Sequence, residues 1–233
     1  IGALGKGHRW RQAVRLLGSM QARGLDPSII AYNEVLSACG NGLQGQQALR
    51  IFVDMQARCV QPDASIYIET MNACGQSNMW QDAVRTFLES QERSLESDVT
   101  MYNVVINACM QGTQWHEALG FISGMAAHQV EPNVITFCST ISVCERCSQW
   151  QEALGRLSLM PSRRVDPNLT VFTTAISACA KGAQWQNALA LLPEMRSRRV
   201  DPDAVTYGAA IGACEKGARW HQALGVVRDM QVR

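Results

Sequence analysis

Apolar residues along the chain fall at helical spacing, and the pattern returns 35 residues later. Ile29, Tyr32, Leu36 and Cys39 are three, four and three residues apart, one stripe of a 3.6-residue helix. Val99, Tyr102, Ile106 and Cys109 repeat it, as do Leu169, Phe172, Ile176 and Cys179. A glycine follows shortly after (Gly7, Gly42, Gly112, Gly182, Gly217), a place suited to a left-handed helix C-cap. A second stripe comes next: Trp115, Ala118, Leu119, Ile122 and Met125, matched by Trp185, Ala188, Leu189, Leu192 and Met195. It runs out in a basic turn, Arg198, Arg199, Val200, Asp201, Pro202, where proline stops one helix and sets up the next.

Five series of positions hold this register. Trp stands at 10, 80, 115, 150, 185 and 220, with Gly45 as the one break. Cys stands at 39, 74, 109, 144, 179 and 214; Pro at 27, 62, 132, 167 and 202, with Ser97 in the gap. Met stands at 20, 55, 125, 160, 195 and 230, with Ser90 in the gap, and Ala at 13, 48, 83, 118, 153, 188 and 223 without exception. Self-similarity at a fixed period is the mark of a repeat array. Counted from the second residue after each proline, the full repeats are 29–63, 64–98, 99–133, 134–168 and 169–203. Residues 1–28 and 204–233 are partial repeats, so the chain is expected to be a fragment of a longer array, one repeat domain throughout. A single hairpin cannot bury both stripes, but stacked hairpins can. The expected fold is all-α, a right-handed α-solenoid of stacked antiparallel helix hairpins. The constant alanine marks a close helix–helix approach.

Composition narrows the class. Of 233 residues, 47% are apolar and 18% charged, which supports a packed core and excludes a disordered chain. A formal net charge of +1 is not that of a strongly basic nucleic-acid binder, although a basic stripe can be offset by acids on other faces. No run of 18 apolar residues occurs, so neither a transmembrane helix nor a membrane partner is expected. Residues 1–7 lack the character of a signal or transit peptide; any targeting segment is expected upstream.

The six periodic cysteines lie on the buried stripe, as small inert thiols do, and nine unpaired cysteines favour a reducing compartment. Cys144 and Cys147 form a C-x-x-C with Cys138 nearby, but no second pair completes four ligands, so no metal site is expected. His8, His116, His128 and His221 belong to no Ser-His-Asp, H-E-x-x-H or phosphate-loop pattern. No catalytic residue, cofactor or small-molecule substrate is expected. The Trp series reads as packing at the start of the second helix.

The opposite face of the first helix is left. Its fifth residue varies (Asn33, Ile68, Asn103, Cys138, Thr173, Gly208), and the last residue of each repeat varies less (Ser28, Asp63, Asp98, Asn133, Asn168, Asp203). Small polar groups at two fixed places on a uniform scaffold fit a modular reading surface. They fit equally a solvated face with ordinary helix N-caps.

The 35-residue period, the V-T-M-Y-N opening of 99–103, the V-T-Y of 205–207 and the closing P-D or P-N resemble the pentatricopeptide-repeat family over essentially the whole chain. So do the A-L of the second helix and the Met six residues after that Leu. The resemblance implies one unpaired RNA base read per repeat. The fifth and last residues would contact the base edge: Asn33 with Asp63 for uracil, Asn103 with Asn133 for a pyrimidine, Thr173 with Asp203 for guanine. Ile68 with Asp98 and Cys138 with Asn168 depart from the family pattern, as does Gly208, whose partner lies beyond the chain. The second residues Ile30, Ser65, Thr100, Ile135, Thr170 and Val205 would pack on the base faces. Lys6, Arg146, Lys181 and Lys216, near the end of the first helix, would contact phosphate. The implied RNA core is U-N-Y-N-G, and the implied partners are single-stranded RNA and other RNA-processing proteins. The implied location is a mitochondrion or plastid, with cytoplasm or nucleus as alternatives. A protein-interaction scaffold of tetratricopeptide type is the competing reading, against which the period and the P-D/P-N closing argue.

Overall fold

In a computed structural model, residues 10–93, 95 and 98–231 are described; they form thirteen α-helices and no strand. The first helices are α2 (Ile29–Asn41), α4 (Ala64–Gln76), α6 (Val99–Gln111), α8 (Val134–Arg146), α10 (Leu169–Lys181) and α12 (Ala204–Lys216). The second helices are α1 (Trp10–Ala22), α3 (Gly45–Ala57), α5 (Trp80–Glu92), α7 (Trp115–Ala127), α9 (Trp150–Leu159), α11 (Trp185–Ser197) and α13 (Trp220–Gln231). Each first helix opens on the first residue of a repeat, and each second helix except α3 opens on the periodic Trp. Helix α9 is shorter than its counterparts because Pro161, which has no N–H to continue it, turns the chain into the 3₁₀ segment Pro161–Arg163. Lys6, Gly7 and Ser97 lie outside the described residues.

The hairpins form two compact units, residues 1–130 and 131–233. In the first, α2, α4 and α6 pack side by side, with α3 against α2 and α4, and α5 against α4 and α6. The second repeats this plan: α8, α10 and α12 stack, with α9 and α11 against successive pairs. The result is an all-α solenoid of helix hairpins. Tyr32, Leu36 and Cys39 are fully buried, while Ile29, which opens their stripe, lies at the exposed rim. Ala13, Ala48, Ala83, Ala118, Ala153 and Ala188 are completely buried, consistent with the close approach expected of a constant alanine.

Within each unit the backbones of successive second helices stand apart, and long polar side chains span the gap. Gln21 donates to Asp54 at 2.8 Å and to the Tyr32 hydroxyl at 3.3 Å. Gln56 donates to Glu89 at 2.7 Å, which also accepts from Tyr67. Arg196 bonds both Tyr207 and Asp229. Phe137 and Phe172 replace the tyrosine where the matching residue is Ala126 or Pro161, neither of which has a side-chain donor.

The turns correct one expectation. Gly42, Gly112, Gly182 and Gly217 have φ of −89°, −78°, −82° and −82°, so they are not left-handed. The left-handed residue is the next one: Leu43, Thr113, Ala183 and Ala218, with φ of 52° to 55°. It is held by a paired closing bond, in which the amide two residues beyond the cap reaches the carbonyl of the periodic Cys. Gln44 to Cys39 and Gln184 to Cys179 are both 2.9 Å. The periodic Met carbonyl does the same for the second helix, as in Val60 to Met55 at 3.2 Å and Val200 to Met195 at 2.9 Å. The glycines answer a different demand. A Cβ on Gly42, Gly112, Gly182 or Gly217 would stand 2.2–2.5 Å from Cδ1 of Trp10, Trp80, Trp150 or Trp185. Each of these four tryptophans thus lies against the helix end of the following repeat and packs between repeats, whereas Trp220 is exposed.

Candidate nucleic-acid interface

The last residue of each repeat is a helix N-cap. Asp63 accepts from the Ile66 amide at 3.0 Å, Asp98 from Met101 at 2.9 Å, Asn133 from Thr136 at 3.0 Å, Asn168 from Val171 at 3.0 Å and Asp203 from Thr206 at 2.8 Å. The ordinary-cap reading of this position therefore holds, and each cap accounts for an orphan amide of the first turn. Capping uses one side-chain oxygen and leaves the residue at the surface: Asp63, Asp98, Asn168 and Asp203 are exposed and Asn133 is partly so.

The second residues all face solvent. Ser65, Thr100 and Thr170 are exposed, as are the apolar Ile30 (74%), Ile135 (62%) and Val205 (67%). The fifth residues Asn33, Ile68, Asn103, Cys138 and Thr173 are half-buried, whereas Gly208 is exposed, with open space where a side chain would stand. The side-chain oxygen of Asn33 is enclosed and has no hydrogen-bond partner in the protein, an arrangement that costs free energy unless something donates to it.

One predicted pair is linked through a single bridging side chain. Thr173 Oγ1 lies 2.7 Å from Thr206 Oγ1, which lies 2.7 Å from Asp203 Oδ1. Bonds from Thr206, first its amide and then its hydroxyl, hold the Asp203 carboxyl below the usual carboxylate range. Thr206 escaped the sequence reading. It is the third residue of its repeat, where Ala31, Ile66, Met101 and Val171 also occur, and it is fully buried. Its counterpart Thr136 shares a capping box with Asn133.

Sequence reading also missed two carboxylates, Glu34 and Glu69, one residue beyond the fifth position. Burial raises the Glu69 pKa; the Ser37 hydroxyl lowers it and the Glu34 charge raises it further.

Arg146, Lys181 and Lys216 are each the last residue of a first helix, and all are exposed, like Asn41, Gln76 and Gln111 in the same place. Lys181 Nζ sits 2.8 Å from Glu145, which also accepts from Ser177. Part of its charge is thus balanced by a neighbour, although a half-exposed pair of this kind is weak. The residue at position 6 lies outside the described residues.

The remaining candidates fall away from this face. Burial pushes the thiols of Cys74, Cys109 and Cys144 up to about 12 and those of Cys39 and Cys179 to about 11. Thiols so shifted are poor nucleophiles and ligands. No cluster of three metal-binding side chains occurs among the described residues. His116 and His221 stack on the adjacent Trp115 and Trp220. No described helix is long and apolar enough to cross a membrane.

By sequence, no curated protein matches the chain. Its fold is similar to the crystal structure of the pentatricopeptide repeat protein PPR10 from maize, at 24% identity and a TM-score of 0.79. That similarity covers 99% of this chain and 33% of PPR10, so the chain spans about a third of that protein. It is also similar to PPR10 in complex with an 18-nt psaJ RNA element (18% identity, TM-score 0.59, 97% and 38% covered). A third similar structure is the PPR domain of Arabidopsis thaliana protein-only RNase P 1 in complex with tRNA (15% identity, TM-score 0.60, 71% and 88% covered). At these identities the likeness establishes the fold alone. The family evidence is in the sequence: the PPR repeat family matches residues 97–146 and 167–216, and the pentatricopeptide repeat domain matches residues 15–77. Together these matches span well over half of the chain, which belongs to the pentatricopeptide-repeat family.

Proposed function

We propose that the chain binds single-stranded RNA sequence-selectively, one base per repeat, and acts by occupying its target. The observation that carries this reading is the row of exposed second residues. Ile30, Ile135 and Val205 hold apolar side chains in solvent at one fixed place. Val205 has the exposed Gly208 as its fifth residue, but each of the five full repeats sets its exposed second residue beside a half-buried fifth residue and near a capping residue at the surface. An unpaired base offers an apolar face for the first and a hydrogen-bonding edge for the other two. The Asn33 amide, its oxygen enclosed and unpartnered inside the protein, would turn outward to accept from a uracil N3–H. Ile68 and Cys138 bring no strong donor or acceptor and leave their bases unspecified, which gives U-N-Y-N-G read 5′ to 3′ along the chain. Arg146, Lys181 and Lys216 supply the phosphate contacts. Two of the similar structures hold RNA, which supports the class of ligand. In keeping with the family resemblance, its work would lie in organellar RNA processing, stability or translation.

Filter binding of labelled single-stranded and duplex RNA of one sequence, over a range of salt, tests this. The expected result is preference for the single strand, with log affinity falling linearly with log salt. Equal or absent binding of both forms would refute the proposal.

A further inference from the structure

We infer that Thr206 is a positioning residue that fixes the polarity of the Thr173–Asp203 reader, so that the pair offers a base only acceptors. The inference rests on the RNA reading above and deepens it.

The protons leave one consistent arrangement. Asp203 is a carboxylate with a depressed pKa, so it accepts only. The 2.7 Å contact between Thr206 Oγ1 and Asp203 Oδ1 is therefore a bond donated by Thr206, whose hydroxyl has a single proton. Thr206 then accepts in its 2.7 Å contact with Thr173 Oγ1, and the Thr173 proton points at it. The alternative target for that proton is the Leu169 carbonyl at 2.9 Å, which is also internal. Either way the Thr173 hydroxyl has only lone pairs for a ligand. Beside it, the exposed Asp203 carboxylate has only lone pairs as well.

Two neighbouring acceptors match a Watson–Crick edge with two neighbouring donors. Guanine has one, at N1–H and N2–H. Adenine and cytosine each set a ring acceptor beside their amino group, and uracil has one donor between two carbonyls. The proton arrangement thus reaches guanine from the hydrogen bonds alone. It also explains why an internal threonine matters: without its hydroxyl, the Thr173 proton is held only by the Leu169 carbonyl, which already accepts an amide of its own helix, and it turns outward to a base acceptor more readily. Val171, the counterpart of Thr206 in the preceding repeat, lacks this hydroxyl.

The test compares wild type, Thr206→Val and Thr206→Ser for RNAs that differ only at the base opposite Thr173. The Thr206 amide still caps onto Asp203 in both variants, and circular dichroism checks that each is folded. The expected result is that Thr206→Val lowers the preference for G over the other bases by on the order of tenfold. Discrimination at the uracil opposite Asn33 should not change, and Thr206→Ser should restore the preference. Undiminished G preference in folded Thr206→Val would overturn this inference alone. Absence of any base preference at this position in wild type would overturn both it and the RNA reading.

Discussion

The Gly45 amide donates a hydrogen bond to the Ser77 hydroxyl at 2.7 Å, in the place where other repeats set a Trp against a Gly. The substitution is reciprocal. Where the second helix opens on Trp10 or Trp80, the next first helix ends on Gly42 or Gly112; where it opens on Gly45, the next one ends on Ser77. The indole and the small residue thus fill one volume between repeats. Gly112→Ala would bring a Cβ to 2.2 Å from Trp80 and should cost about 1–3 kcal/mol by overpacking. In a Trp80→Ala background that added cost should nearly vanish, a coupling that urea titrations of the four proteins would measure. Equal costs in both backgrounds would contradict the shared volume.

Leu43 has φ of 55° and an exposed side chain, so it bears the left-handed penalty with little packing in return. Leu43→Gly should raise stability by about 0.5–1 kcal/mol after the greater chain entropy of glycine is counted. A fall in the thermal midpoint would show that Leu43 makes contacts that outweigh its backbone strain.

The cysteines should separate by reactivity. Cys59 is exposed, whereas Cys109, with its pKa pushed up to about 12, is buried. Iodoacetamide at pH 8 should label Cys59 promptly and leave Cys39, Cys74, Cys109, Cys144 and Cys179 unmodified until urea unfolds the chain. Rapid labelling of Cys109 by peptide mapping would mean that its hairpin opens readily in the native state.

Capping by Asp203 should give stability a definite pH sense. Its folded pKa is depressed by the Thr206 bonds, so its contribution is complete above the unfolded carboxyl value of roughly 4. It is lost as pH falls through the folded value. The gap in urea midpoint between wild type and Asp203→Ala should be present at pH 7 and shrink steadily below pH ~4. A gap that widened in acid would reverse the assignment.

Much of this was legible in the sequence, for physical reasons that differ by residue. Asp63 and Asp98 cap their helices because local chemistry at those helix starts is strong, whereas Trp80 and Trp115 open theirs with no side-chain cap and are marked by the apolar stripe they begin. Once Tyr32 and Cys39 set the phase of the first helix, the outward position of Ile30 followed from the helical period alone. The left-handed position was misplaced by one residue because Leu43, Thr113 and Ala183 carry no sequence signal for it. Backbone bonds to Cys39, Cys109 and Cys179 hold them there, while Gly42 serves an indole from another repeat. The same limit hid Thr206: beside Ile66 and Val171 at its position it passes for a core residue, and only its distances to Thr173 and Asp203 reveal the link.

The claim on which the functional reading turns is that each hairpin selects its own nucleotide. Competition binding between an RNA bearing U-N-Y-N-G and the same bases in permuted order tests it most directly, with Asn33→Ala and Thr173→Ala run alongside. The matched RNA should win by on the order of tenfold or more, with each substitution erasing discrimination at its own nucleotide only. Equal competition by the permuted RNA, or a uniform loss across all nucleotides in either variant, would contradict it.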